Sequence, residues 1–209
     1  MVSGFLGSFD DVMAFRATLS PESDRGCALI AAAYIDAELE QLLRSAIVDD
    51  KKVADELLGQ GKAAGSFSTR IDLAFLLGLV SSRERRDMHL IRRIRNEFGH
   101  DHSPISFETP NIASRCAELA VPTSREGGAP RRLFIVAAMG MLASIHGGML
   151  GRQRAQQRAD RPPVSEIISE DEMRRLVLEA FDEYGPDKQA ITTYVIEKCL
   201  RRHDGEVSL

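Results

Sequence analysis

The chain has 209 residues, 44% of them hydrophobic, and a net charge of −4 from 27 basic and 31 acidic side chains. That length and apolar content suffice for one sizeable core with an appendage. Cys27, Cys116 and Cys199 are odd in number, far apart and without CxxC spacing, which argues against a disulfide framework and for reduced core thiols in a cytoplasmic protein. The charge is unevenly divided. Residues Ser165 to Leu209 carry 11 acids and 6 bases, whereas the preceding residues carry 20 acids and 21 bases, so the tail is acidic and the body is not. Met1 to Phe15 has no basic leading region, and its apolar residues are interrupted by Gly4, Gly7, Ser8 and Asp10, so no signal peptide is expected.

In chain order, the apolar spacing of Phe5, Phe9, Val12, Met13 and Phe15 predicts a first helix over Phe5 to Leu19. Ser20 as cap, Pro21 at N1 and the acids Glu22 and Asp24 predict the start of a second. Its inner face is Ile35, Leu39, Leu42, Leu43 and Ala46, and Ala28 and Ala31 to Ala33 leave room for another helix to approach. Asp50 to Leu58 reads as a short helix and Gly59 to Ser66 as a loop. Ser68 or Thr69 opens a helix through Val80. Ser81 and Glu84 then have capping-box spacing before a helix that turns Met88, Ile91, Ile94 and Phe98 inward. Its other faces hold Arg83, Arg85, Arg86, Arg92, Arg93 and Arg95 against only Glu84, Asp87 and Glu97.

That basic helix leads into Arg95-Asn96-Glu97-Phe98-Gly99-His100-Asp101-His102. Glycine enters the left-handed conformation without a Cβ clash, so Gly99 is expected to be C′ and to stop the helix. In a Schellman ending the His100 N–H would then bond the Arg95 carbonyl and bring the two side chains close, with Asn96 beside them. Alternatively, the pair is no more than a cap with a surface salt bridge, and the arginines are a solvated face. His100, Asp101 and His102 have no further ligand cluster around them, so no metal and no cofactor is expected. Glu22, Asp24 and Arg25 read as helix-start electrostatics, with Arg25 a candidate to support the central site.

Ser103 to Phe107 reads as extended, Pro110 to Val121 as a short helix and Pro122 to Pro130 as a connector. Arg131 to Ala159 is the longest helical stretch. Its apolar run, Leu133 to Leu150, is long enough to raise a membrane span. The glycines, Ser144 and His146 within it, and basic flanks at both ends, favour the central helix of a soluble bundle with His146 a satisfied core histidine. After Arg161-Pro162-Pro163, Ser169 caps with Glu172 at N3, and Ile168 and Met173 occupy staple positions. Met173, Leu176, Val177, Ala180, Phe181 and Tyr184 form one apolar stripe. Gly185-Pro186 ends that helix, and a second runs from about Lys188 to Arg202 with Ile191, Tyr194 and Val195 inward, making an αα-hairpin. No strand alternation occurs, so the fold class is all-α, with a domain over 1–161 and an accessory hairpin over 162–209.

The body resembles the mannitol operon repressor family through Glu22-Ser23-Asp24-Arg25-Gly26-Cys27-Ala28-Leu29, Val48-Asp49-Asp50-Lys51-Lys52-Val53, Phe67-Ser68-Thr69-Arg70-Ile71 and Ile91 to His100. That family is similar to the HEPN superfamily of antiparallel helical bundles, whose hallmark is an arginine, a short spacer beginning with a polar residue, and a histidine. The resemblance places the hallmark on Arg95, Asn96 and His100. It implies two functions. The first is a transcriptional regulator, a repressor. The second is a metal-independent, toxin-like endoribonuclease. In the latter His100 takes the 2′-OH proton, Arg95 stabilises charge on the phosphate, Asn96 orients one of them, and Arg92, Arg93 and His102 hold RNA backbone. Such sites are usually completed face to face in a homodimer. As for repression, the body offers no DNA reader, and the only helix-turn-helix arrangement lies in the acidic tail, which phosphate repels. A repressor of this composition is expected to act through a protein partner, with the tail hairpin one candidate contact.

Overall fold

The computed structural model describes residues 9–100, 103–120, 128–160 and 168–205, and every regular element among them is helical. The chain divides into two compact units, Met1–Gln157 and Arg158–Leu209. The first holds α1 (Phe9–Leu19), α2 (Asp24–Ala46), α3 (Lys51–Leu58), α4 (Phe67–Leu76), α5 (Ser82–His100), α6 (Pro110–Ala117) and α7 (Pro130–Met149). The second holds α8 (Glu170–Tyr184) and α9 (Lys188–Gly205).

The central element is α2, whose 23 residues pack against α1, α4, α5 and α7. Its start differs from the expected one. Ser23, three residues beyond Ser20, is the N-cap and accepts the Gly26 N–H at 3.0 Å. The Ser20–Glu22 segment is instead a turn gripped by Arg131 of α7, which donates to the carbonyls of Leu19 and Glu22 and pairs with Asp24 at 2.5 Å. Cys27, Ala28, Ala31, Ala32, Ile35, Leu39, Leu42 and Leu43 are all buried, and the small ones admit the neighbouring helices. Burial raises the thiol pKa values, to about 11 for Cys27 and about 12 for Cys116, so both are unreactive thiols. The three cysteines are free and buried.

α7 is shorter than its composition suggests. It spans 20 residues and ends at Met149, ten before Ala159, because Gly147 and Gly148 weaken the helix and Gly151 turns left-handed at φ 66°. Beyond it the chain crosses back to α2, where the Ala155 N–H meets the Ala46 carbonyl at 2.9 Å. α7 is long and apolar enough to cross a membrane by length and composition. Its inner face, Phe134, Ala137, Ala138, Met141, Leu142 and Ile145, is nevertheless buried in the bundle. On that face His146 and Glu38 of α2 meet at 3.0 Å, both about nine-tenths buried, so the histidine is a satisfied core residue.

Two polar devices fix the helices around α2. Arg70 of α4 is buried and spans Asp36 at 2.7 Å, Glu40 at 2.5 Å and the Leu58 carbonyl at 2.7 Å, tying α2, α3 and α4 together. Ser81 and Glu84 form the expected capping box, with N–H to carboxylate at 2.6 Å and the return bond at 3.3 Å. Glu84 also accepts from Ser144 of α7. Partial burial opposes ionisation of Glu84, yet the hydrogen bonds from Ser144 and Ser81 outweigh it and hold its carboxyl below its ordinary value.

α8 has its expected N-cap, Ser169 accepting the Glu172 N–H at 3.3 Å, and its stop at Gly185, φ 65°. α8 and α9 pack against each other around Ile168, Leu176 and Cys199.

Replacing Arg70 by alanine strips Asp36 and the Leu58 carbonyl of this donor and leaves Glu40 with Arg44 alone, and is expected to destabilise the body by about 3 kcal/mol in urea unfolding. Arg44→Ala, which removes two partly exposed pairs, with Glu40 and with Asp55 of α3, is expected to lose about 1 kcal/mol. A depressed carboxylate stabilises above its unfolded pKa and loses that contribution as pH falls through the folded one. The urea midpoint should therefore fall between pH 6 and pH 3 by less in Glu84→Gln than in the parent chain.

Candidate functional site

The polar surface centred on the C-terminal half of α5 is positioned from below by aromatic packing. Phe98 is fully buried and lies 5.0 Å from the Phe107 ring, which lies 5.1 Å from Phe134 of α7. The Phe107 N–H donates to Asp24 at 2.9 Å, so the chain that follows α5 is pinned to the start of α2. Arg25, one residue on, donates to the Ser103 carbonyl at 3.2 Å and thereby sits beside the end of α5.

The helix ending differs from the expected one. α5 runs through Gly99 to His100, and Gly99 is absent from the glycines with positive φ. The Schellman ending does occur, but at the end of α4, where Gly78 has φ 67°. There the Leu79 N–H bonds the Ala74 carbonyl at 2.9 Å and the Gly78 N–H bonds that of Phe75 at 3.0 Å. The physical difference is the side chain at C″. Leu79 is apolar and packs against the core, as that motif favours, whereas at Gly99 the position would fall to the exposed, polar His100. Glycine permits the left-handed turn but does not impose it.

In a continuous helix, residues five apart point about 140° away from each other. Within one protomer, therefore, the backbone of α5 does not bring Arg95 and His100 together. Arg95 is half-buried and donates to the Asn96 side chain at 3.0 Å, while His100 is exposed at the tip. Arg92 is half-buried with its Nε enclosed and unpartnered, and Arg93 is exposed. Asp101 and His102 lie outside the described residues. Among the described residues, no three or more His, Cys, Asp or Glu side chains are grouped to hold a metal ion.

Several arginines of the basic helix are committed to structure. Arg85 pairs with Asp72 of α4 at 2.7 Å, and His89 meets the same carboxylate at 3.1 Å. Partial burial opposes ionisation of Asp72, but hydrogen bonds from Arg85 and His89 outweigh it and lower the pKa. Arg86 reaches the Glu118 carbonyl at 2.5 Å and buried Asp87 at 3.3 Å. Asp87 in turn accepts the Ala120 N–H at 2.8 Å, and Glu97 pairs with Arg115 of α6 at 2.5 Å. The cluster of Asp72, Arg85 and His89 escapes sequence reasoning because Asp72 stands on another helix. The spacing of Arg85 and His89 on one helical face is the only signal it leaves.

The basic side chains left facing solvent around the tip of α5 are thus Arg92 in part and Arg93, with Asn96 and the His100 imidazole beside them. They form a polar surface fit for a carboxylate-rich protein or a phosphate.

No protein-family model matches the sequence, and no curated protein does either. A solved structure does resemble the fold: the X-ray structure of the MtlR–HPr complex from Escherichia coli, at a TM-score of 0.52 and 18% identity. The match covers 64% of this chain and 99% of that one. At such identity the likeness establishes a shared fold.

Gly99→Ala tests the helical ending directly. A Cβ built on Gly99 meets only Leu29 Cδ2, at 3.8 Å, an ordinary contact. The variant is expected to be neutral or stabilised by up to about 1 kcal/mol in thermal unfolding. A loss of stability of that size or more would mark a left-handed Gly99 instead.

Proposed function

We propose that this chain is a regulatory protein of the mannitol repressor type that works by binding a protein partner with the helical body. The observation that carries this reading is the extent of the fold likeness. Nearly the whole MtlR chain of an MtlR–HPr complex is matched, over a share of this chain far larger than the unit 158–209 could supply. Among the described residues the helices of the body each commit an apolar face to the core and form no helix-turn-helix unit of their own that we assign to DNA, so in this reading repression runs through a protein contact. The surface best suited to such a contact is the exposed side of α5 around Arg93, Asn96 and His100. It is cationic and mounted on a helix anchored by Phe98, so its geometry is set before a partner arrives.

One observation favours the ribonuclease reading as a second possibility. Arg25 is bonded to the backbone just after the Arg95–His100 segment, so the start of α2 and the tip of α5 present cations to the same place. In that reading His100 is the base and Arg95, supported by Asn96, the phosphate ligand, with the facing pair supplied by a second protomer.

Titrating purified HPr into the chain by calorimetry tests the first reading. Binding that survives removal of residues 158–209 and weakens about tenfold or more in Arg93→Glu is expected. Absence of binding with the intact chain would overturn an HPr-type partner. Incubation with mixed RNA under EDTA, beside Arg95→Ala and His100→Ala, separates the second reading. Cleavage that leaves 2′,3′-cyclic phosphate ends and is lost in both variants would establish the enzyme.

A further inference from the structure

The hairpin leaves unfilled a surface that its own two helices cannot cover. At about 100° per residue, the apolar arc of α8 runs from Leu176 through Ala180, Val177 and Phe181 to Leu178, about 200° in all, with the exposed Arg174 entering it at its N-terminal end. α9 covers one half of it, where Leu176 is 6% and Ala180 0% exposed. On the other half Val177 is 40%, Phe181 50% and Leu178 64% exposed. The buried apolar cluster of this unit amounts to Ile168, Leu176 and Cys199 with partly buried neighbours. A hairpin of this size has too small a core to stand alone, and units so small ordinarily gain stability from association.

We propose that the exposed half of α8 is a self-association surface, occupied by α8 of a second copy of this chain running antiparallel. The charges that border the stripe point to this occupant. Arg175 and Asp182 are exposed, two helical turns apart on the same edge of the stripe, and neither makes an ion pair among the described residues. A two-fold axis passing between Leu178 and Glu179 brings Val177 of one copy within one residue's rise of the partner's Phe181. The same axis sets Arg175 opposite the partner's Asp182, and symmetry repeats both contacts. Such a two-fold contact closes on itself and leaves no edge for further growth. A nucleic acid is a poor alternative occupant, because Glu170, Asp171 and Glu172 crowd the start of the same helix.

α8 and the tip of α5 belong to different units of the chain and are read by different measurements, so the partner-binding proposal and this one stand or fall independently. Sedimentation of the full chain over a range of concentrations should show a monomer–dimer equilibrium. Phe181→Glu should weaken it by at least tenfold, with circular dichroism unchanged in helix content. Arg175→Asp and Asp182→Arg should each weaken it by about three- to tenfold, because each single reversal creates two like-charge contacts by symmetry. The double variant, Arg175→Asp with Asp182→Arg, should restore the parent affinity. A monomer at all concentrations, a dimer insensitive to Phe181→Glu, or a double variant no better than the singles would each overturn the proposal. A heterologous helix bound to the same stripe would give the first or third of these results.

Discussion

The body of this protein depends on keeping water away from α2. A 23-residue helix packed by four others can present few large side chains where the helices cross closest, which is why Cys27, Ala28, Ala31 and Ala32 line its first half and the bulkier Leu39, Leu42 and Leu43 its second. The same burial makes any polar group on α2 expensive unless it is matched. Its four carboxylates are matched to other helices: Asp24 to Arg131 of α7, Asp36 and Glu40 to Arg70 of α4, Glu38 to His146 of α7. These pairs do not drive folding, since exchanging water for a partner returns little net free energy. They fix which helix lies where, because misregistration would strand a charge.

The tip of α5 is a consequence of that arrangement. Phe98 is drawn into the core, the Phe107 ring packs against it at a tilt, and the Phe107 N–H is held by the same Asp24 that Arg131 grips. The helix runs on through Gly99, where a glycine could have ended it, to His100. The exposed groups at its tip face outward on a rigid mount and not inward on a shared pocket. A rigid outward-facing cationic surface suits recognition of another macromolecule, and a single copy does not assemble Arg95 and His100 into one catalytic pocket.

The hairpin follows the opposite regime. Its secondary structure is strongly specified by its N-cap Ser169, its acidic first turn and the left-handed Gly185, yet its core is slight and much of its apolar arc faces out. Local propensity can define such helices without supplying enough burial to hold them, and association is the usual remedy.

Much of the fold was legible in the chain. Apolar spacing identified the helical segments, the Ser81–Glu84 and Ser169–Glu172 caps marked two starts, and Gly185-Pro186 marked a stop, because these signals act within a few residues of where they are read. Where a local signal was permissive and not compelling, the tertiary structure decided. Gly78 and Gly99 are both glycines near a helix end, but only Gly78 is followed by an apolar side chain for the core to take up. Ser20 and Ser23 could each cap α2, and the grip of Arg131 on the intervening turn selects Ser23. The site was legible as a set of residue types at the end of a basic helix. Which arginines remain for solvent was not, since Asp72, Glu118 and Asp87 claim Arg85 and Arg86 through contacts that only the packing of α4, α5 and α6 creates. Sequence by itself determined the helices, the acidic tail and the location of the cations. The direction in which those cations point, and what they are free to bind, came from long-range packing, because side-chain direction on a helix depends on where that helix stops and what it rests upon.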